Sequence, residues 1–232
     1  MSQTPAHDGW NPDLLPFLPK SAQCIVEVGC GGGGLASAYR QADGTAHYIG
    51  IELIEPYAAR AKAHCSDVII ADVEELAFES HPELFTADCW VFGDSLEHLR
   101  DPWGLLARVR SILPPSGCVV ACIPNAQHWS VQAQLSVGAF HYRDSGLFDR
   151  SHLRWFTRET IVALFEGAGF AIVDGRSRIF DEPEKERVLP HLRALAAAVG
   201  ADPDQAVRDA LPLQYVVRAL PSMGVPRAPD AQ

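Results

Sequence analysis

Residues 26 to 34 read Val-Glu-Val-Gly-Cys-Gly-Gly-Gly-Gly. The run follows an apolar segment and leads directly into LASAYRQA, a stretch compatible with a helix. A strand that turns at once into a helix needs unusual φ angles, and it lets a ligand approach the backbone closely. Side chains obstruct both, which is the mechanical reason for five glycines in the six positions from Gly29 to Gly34. The run therefore predicts a strand, a tight turn and a helix, with a ligand site at the turn.

Four more short apolar runs follow at intervals that leave room for crossover helices. With CIVEVG they are HYIGIEL, DVIIAD, DCWVFGD and CVVACIP. Nearly continuous apolar strands alternating with helix-length segments predict a parallel sheet covered on both faces, an α/β fold. Further strands are expected at about 171 to 178 and in QYVVRAL, with polar-amphipathic helices between about 184 and 210. Thr157 is placed to cap a helix over RETIVALFEGAGF.

A chain of 232 residues suits one such unit with a modest insertion. We divide it into a cover segment (1–23), a cofactor-binding core (24–124), a substrate-facing insertion (125–156), C-terminal helices and last strands (157–221) and a loose tail (222–232). The cover segment carries three prolines and several leucines between Asn11 and Lys20, and is expected to close over the ligand.

The composition, 47% hydrophobic and 21% charged, is that of a folded chain. A net charge of −10 repels a phosphate backbone and no basic patch offsets it, so no nucleic-acid partner is expected. No apolar run reaches the roughly 20 residues of a membrane span and no leader pattern opens the chain, so the expected location is cytoplasmic. Cys24, Cys30, Cys65, Cys89, Cys118 and Cys122 form no CxxC pair and no Cys/His array at zinc spacing. They read as reduced core residues, with Cys30 in the glycine turn as an alternative thiol, and no metal is expected.

Gly29, Gly31 and Gly34 satisfy the GxGxxG spacing of dinucleotide folds, so the glycines alone leave the ligand open. Glu27 discriminates. A carboxylate two positions before Gly29 would face the pyrophosphate of a dinucleotide, and suits a cationic ligand better. Glu52, 19 residues beyond Gly33 at the end of the second strand, is placed to bind the two hydroxyls of a ribose in either case.

VEVGCGGGG resembles the E/DxGxGxG first motif of class I S-adenosylmethionine-dependent methyltransferases, matched by Glu27, Gly29, Gly31 and Gly33. The resemblance implies a Rossmann-like, doubly wound sheet of seven strands, mostly parallel with an antiparallel last strand. It also implies S-adenosylmethionine as cofactor and S-adenosylhomocysteine as product, with the loop around the methionine part and Glu27 on its amino group. By the same resemblance Asp72 and Val73 lie beside the adenine, although Asp72 equally suits a helix cap.

The segment CWVFGDSLEHLRDPWGLLARVRSILPPSGCVV resembles the fourth-strand region of small-molecule methyltransferases. That implies Asp94 and Ser95 at the methyl-transfer site, with Glu97 and His98 in the loop behind them. Phe148 to Thr157 resembles the DRxHLRxFT segment of methyltransferases linked to sugar, glycan or quinone-type substrates.

Methyl transfer is an in-line displacement, so the protein mainly holds the nucleophile opposite the sulfonium. A hydroxyl must also lose its proton. His98 and His152 are the candidate bases, with Asp149 able to orient His152 if the stretch turns helically. Each histidine has a packing alternative. His128, Trp129, His141 and Tyr142 add aromatic surface suited to a sugar or planar substrate.

The expected reaction is O-methylation of a small metabolite or carbohydrate, with a small amine as the alternative acceptor. An NAD-binding oxidoreductase would share the glycine turn and Glu52 but gives no reason for Glu27, and a non-catalytic cofactor-binding module is the third reading. The helical stretch 184–210 suits either a lid or a homodimer surface.

Overall fold

The computed structural model describes residues 10–222, so the tail from residue 223 onward lies outside the described residues. Five strands run parallel: β1 (Cys24–Val28), β2 (His47–Glu52), β3 (Asp67–Ile70), β4 (Cys89–Gly93) and β5 (Cys118–Pro124). They are the five apolar runs of the sequence. β6 (Phe170–Arg178) and β7 (Gln214–Pro221) complete a seven-stranded sheet in the order β3-β2-β1-β4-β5-β7-β6, with β7 antiparallel to both neighbours.

Strand alternation sorts the core onto two faces, because successive side chains point to opposite sides of a sheet. Val26, Val28, Trp90 and Phe92 lie on one, beneath α3 (Pro102–Ile112) and α5 (Arg158–Gly167). Ile25, Tyr48, Val91 and Val120 lie on the other, against α1 (Gly34–Gln41) and the cover segment through Leu14, Phe17 and Leu18. All six cysteines are free and buried among these side chains. Burying both faces is what lets β1 consist of five buried residues, and each fully buried large side chain contributes about 1.5–3 kcal/mol.

α2 (Glu55–Ala61) crosses from β2 to β3, whereas two short 3-10 turns at Phe78–Ser80 and Pro82–Thr86 connect β3 to β4. Thr157 caps α5 as expected, in a reciprocal pair with Thr160. The insertion holds one helix, α4 (Trp129–Ser136), and α6 (Lys185–Ala198) and α7 (Pro203–Ala210) lie between β6 and β7. Among the described residues no helix is long and apolar enough to cross a membrane.

Candidate active site

The C-terminal ends of β1, β2 and β4 gather the glycine turn and its acidic partners, as open α/β sheets place their ligand crevices. Gly29, Gly31 and Gly33 take φ angles of 72°, 53° and 80°, a region side chains disfavour. The N–H groups of Gly29 and Cys30 both donate to the Ile51 carbonyl, tying the turn to the end of β2. A side chain at Gly31 would meet nothing within 4 Å, which leaves that stretch of backbone open to a ligand.

Glu52 is built into this turn. Its Oε2 accepts from the Gly31 N–H at 2.9 Å and its Oε1 from the Ile54 N–H at 2.9 Å. Each oxygen keeps a further lone pair. Glu27 lies beneath the turn, buried, with its Oε2 accepting from the Tyr48 hydroxyl at 2.9 Å. Burial pushes its carboxyl up to about 8, with the Tyr48 hydrogen bond pulling the other way. Cys30 shares a hydrogen bond with Cys65 that, together with burial, raises its thiol far above the nucleophilic range.

The third-strand pair divides. Asp72 Oδ1 accepts from the Glu74 N–H at 2.9 Å, a local turn cap, while Oδ2 lies 3.2 Å from Arg100 Nη2. Val73 is buried in the core face beneath α3 and α5.

Asp94, directly after β4, has φ 55°, an uncommon conformation that aspartate tolerates better than most residues. Its carboxylate accepts from the Gln214 side chain, and burial raises it above the usual carboxylate range. Ser95 is buried beside Gly29, and its hydroxyl has no hydrogen-bond partner among the described residues. Glu97 is 1% exposed. Burial, reinforced by the nearby charge of Asp94, drives its carboxyl well up, and its own backbone N–H offsets only part of this.

His98 and His152, 54 positions apart in the chain, meet edge to face with ring centroids 4.9 Å apart. The insertion is folded onto the loop after β4, where the N–H groups of Leu153 and Arg154 both donate to the Glu97 carbonyl, at 2.8 and 3.0 Å. Burial, then the neighbouring His98, lowers His152 to about 4, so its imidazole is neutral at physiological pH. The stretch from 149 to 152 is a turn and not a helix, and Asp149 Oδ1 accepts from the Ser151 N–H and hydroxyl. His152 Nδ1 faces the Leu147 carbonyl instead. His128 stands apart from this pair, buried beside Trp129 and capping α4.

Tyr48 and Gln214, which hold Glu27 and Asp94, were not legible as site residues, because each reads as an ordinary strand position. Asn11 and Asp13 extend the surroundings. Asn11 donates to the Cys122 sulfur, and Asp13 pairs with Arg176 and Arg178 of β6.

Comparison with known proteins agrees with this geometry. The chain is 32% identical over 136 residues to a ubiquinone biosynthesis O-methyltransferase of Methylococcus capsulatus, across 49% of this chain and 55% of that protein. It thus spans about half the length of the curated relative it matches. A structure described as a SAM-dependent methyltransferase from Archaeoglobus fulgidus superposes with a TM-score of 0.59 at 18% identity, covering 87% of each chain. Magnesium protoporphyrin IX methyltransferase from Synechocystis PCC 6803, with bound SAH, gives a TM-score of 0.58 at 12% identity, over 90% of this chain and 81% of that one. These two likenesses establish the shared fold. The model of a methyltransferase-domain family matches residues 7–174, most of the chain and all of the glycine turn, β4 and insertion, so the chain belongs to that family.

Proposed function

We propose that the protein transfers a methyl group from S-adenosylmethionine to an oxygen of a small metabolite or carbohydrate, leaving S-adenosylhomocysteine. The observation that carries this reading is Glu27, a buried carboxyl beneath the glycine turn with the Tyr48 hydroxyl as its hydrogen-bond donor. A cationic amine draws the proton off it and is held by the carboxylate that results, an exchange that an anionic pyrophosphate cannot drive. The other residues fit the same ligand. Glu52 has a spare lone pair on each oxygen for a ribose diol, the open face at Gly31 admits a ligand, and the Ser95 hydroxyl lacks a partner among the described residues.

The cofactor, when bound, supplies an electrophilic methyl on a sulfonium. The chain's own task is to hold the parts in line and keep water out. Gly29, Gly31 and Gly33 shape the cradle, Glu27 and Glu52 fix its two ends, and Asp72 and Val73 border the base. Asp94 and Ser95 line the transfer point. His98 and His152 stand beside it to deal with the acceptor's proton, and His152, neutral at physiological pH, is in its accepting form. Residues 125–156 form the acceptor wall. An oxygen acceptor is favoured by the Methylococcus capsulatus relative, whose name specifies O-methylation.

Calorimetric titration with S-adenosylhomocysteine, repeated on Glu52→Ala and with NAD, tests the cofactor. A dissociation constant on the order of micromolar that collapses in the variant, with no NAD signal, is expected. NAD binding without S-adenosylhomocysteine binding refutes the reading. A hydroxyl and amine acceptor panel with radiolabelled cofactor then tests the chemistry. His98→Ala is expected to lower kcat on a hydroxyl acceptor roughly 10²-fold or more while leaving S-adenosylhomocysteine affinity intact.

A further inference from the structure

Behind the end of β4 three side chains are arranged in a way that proton transfer alone does not explain. Glu97 is 1% exposed, and neither of its carboxylate oxygens accepts a hydrogen bond from another residue among those described. Buried carboxylates are ordinarily paired, hydrogen-bonded or bound to a metal. His152 Nε2 stands 4.0 Å from Glu97 Oε1, and one ligand atom each from Glu97, His98 and His152 lies within 4.8 Å of the others.

The backbone decides which imidazole nitrogens are free. His98 Nδ1 lies 3.1 Å from the Ser151 carbonyl oxygen, and His152 Nδ1 lies 3.3 Å from that of Leu147. A carbonyl oxygen only accepts, so Nδ1 of each neutral ring carries the hydrogen and Nε2 carries the lone pair. The Nε2 of His152 therefore turns its lone pair toward the Glu97 carboxyl, so that a proton or a cation must stand between the two. An imidazole whose other ring nitrogen is anchored on a backbone carbonyl is the usual outer support of a metal-ligating histidine.

We propose that Glu97, His98 and His152 hold a divalent cation of the zinc class, in a three-ligand site whose fourth position takes water or the acceptor's hydroxyl. Two imidazoles and one carboxylate suit zinc better than magnesium or calcium, which prefer all-oxygen sets, and three protein ligands with one open position mark catalytic zinc. Metal–ligand distances of about 2.0–2.2 Å put tetrahedral ligand atoms roughly 3.4 Å apart, so the three side chains close in by about 1 Å on binding.

The role in catalysis rests on placing methyl transfer at this end of β4. With the cation in place the Nε2 lone pairs of His98 and His152 are committed to it and no longer take the acceptor's proton directly, and the cation-bound hydroxyl instead loses its proton to solvent more readily. The oxygen then forms its bond to the methyl carbon as the carbon–sulfur bond breaks, and that electron pair stays on sulfur. The cation keeps its charge throughout.

The test is titration of chelator-treated protein with Co²⁺, read by visible absorption, followed by displacement with Zn²⁺. One equivalent should bind with ligand-field bands and without the near-ultraviolet thiolate band that the six cysteines would give. Glu97→Gln and His152→Asn should each weaken binding by more than the roughly 10–100-fold typical of an outer-sphere partner, while the exposed His47→Asn leaves it unchanged. Absence of stoichiometric binding to the wild-type protein, a thiolate spectrum, or full-strength binding in both variants overturns the site. S-adenosylhomocysteine calorimetry on the same samples separates the two readings: an intact cobalt band without cofactor binding sustains the cation site and sinks the methyl-transfer assignment.

Discussion

Glu27 is mostly protonated at neutral pH because water cannot reach it and Tyr48 supplies only one hydrogen bond. Its carboxyl moves from 4.5 in the unfolded chain to about 8 in the fold. Between those values the folded state holds the extra proton, so this group's contribution to stability is full below pH 4.5 and is lost as pH rises through 8. A ligand ammonium reverses the preference, since it favours the carboxylate. Cofactor affinity should therefore climb as pH approaches 8, by up to about tenfold per unit, with a proton released on binding. Calorimetry in two buffers of different ionisation enthalpy measures that release. Glu27→Gln should remove both the release and the fall in melting temperature of the free protein between pH 5 and 8. Wild-type affinity that ignores pH across this range would detach Glu27 from the ligand's amine. The position of Glu27 was readable in the chain because a strand end beside a glycine turn is a local pattern. The meeting of His98 with His152 was not, because it depends on how the whole insertion folds back.

The glycine turn works as an element through only some of its members. Gly33 sits at φ 80°, and a Cβ there would lie 3.0 Å from the His64 Cβ and 3.1 Å from the Ala61 backbone. Gly32 has an ordinary φ, and its nearest neighbour would be the Arg60 side chain at 3.8 Å. Gly33→Ala should thus cost on the order of 1–2 kcal/mol from backbone strain alone, plus the displacement of α2. Gly32→Ala should be neutral or stabilise by a few tenths of a kcal/mol. Urea unfolding of the two variants checks this, and equal effects would mean that the turn is set by something other than these φ angles and contacts. β1, β2, β4 and β5 were legible because both of their faces are buried, which writes an unbroken apolar run, whereas β3 is only partly buried and shows through its Val-Ile-Ile run alone. α4 was not, since of its eight residues only Val131 is buried and no apolar period results. The link from β3 to β4 likewise offered no helical period and became two short turns, the second opening at Pro82.

At the scale of the molecule, chain ends far apart in sequence close over the sheet together. Asp13 of the cover segment takes Arg176 at 3.1 Å and Arg178 at 2.7 Å, both from the edge strand β6. Arg178 also reaches Gln214, which in turn donates to Asp94. A continuous polar chain therefore runs from the cover segment to the end of β4. On the other side of Asp13, the Leu14 side chain packs against Gly93, and Trp10 lies against Gly34 at the start of α1. The hydrogen bond from Arg178, ahead of the one from Arg176, holds the Asp13 carboxyl below its usual range. Its contribution is present above pH 3.8 and is lost as pH falls through the lower folded value. Surface ion pairs are typically worth about 0.2–1 kcal/mol, so Asp13→Asn should not unfold the protein. It should instead speed hydrogen exchange over residues 14–18 and raise the cofactor dissociation rate by up to about fivefold, the kinetic equivalent of the upper end of that energy, with added salt producing part of the same change in the wild type. Exchange read by mass spectrometry with and without S-adenosylhomocysteine, alongside stopped-flow dissociation, decides the matter. Faster exchange with an unchanged dissociation rate would show that the cover segment packs on the sheet without gating the site, and the expected lid would then have to be sought in the helical stretch 184–210.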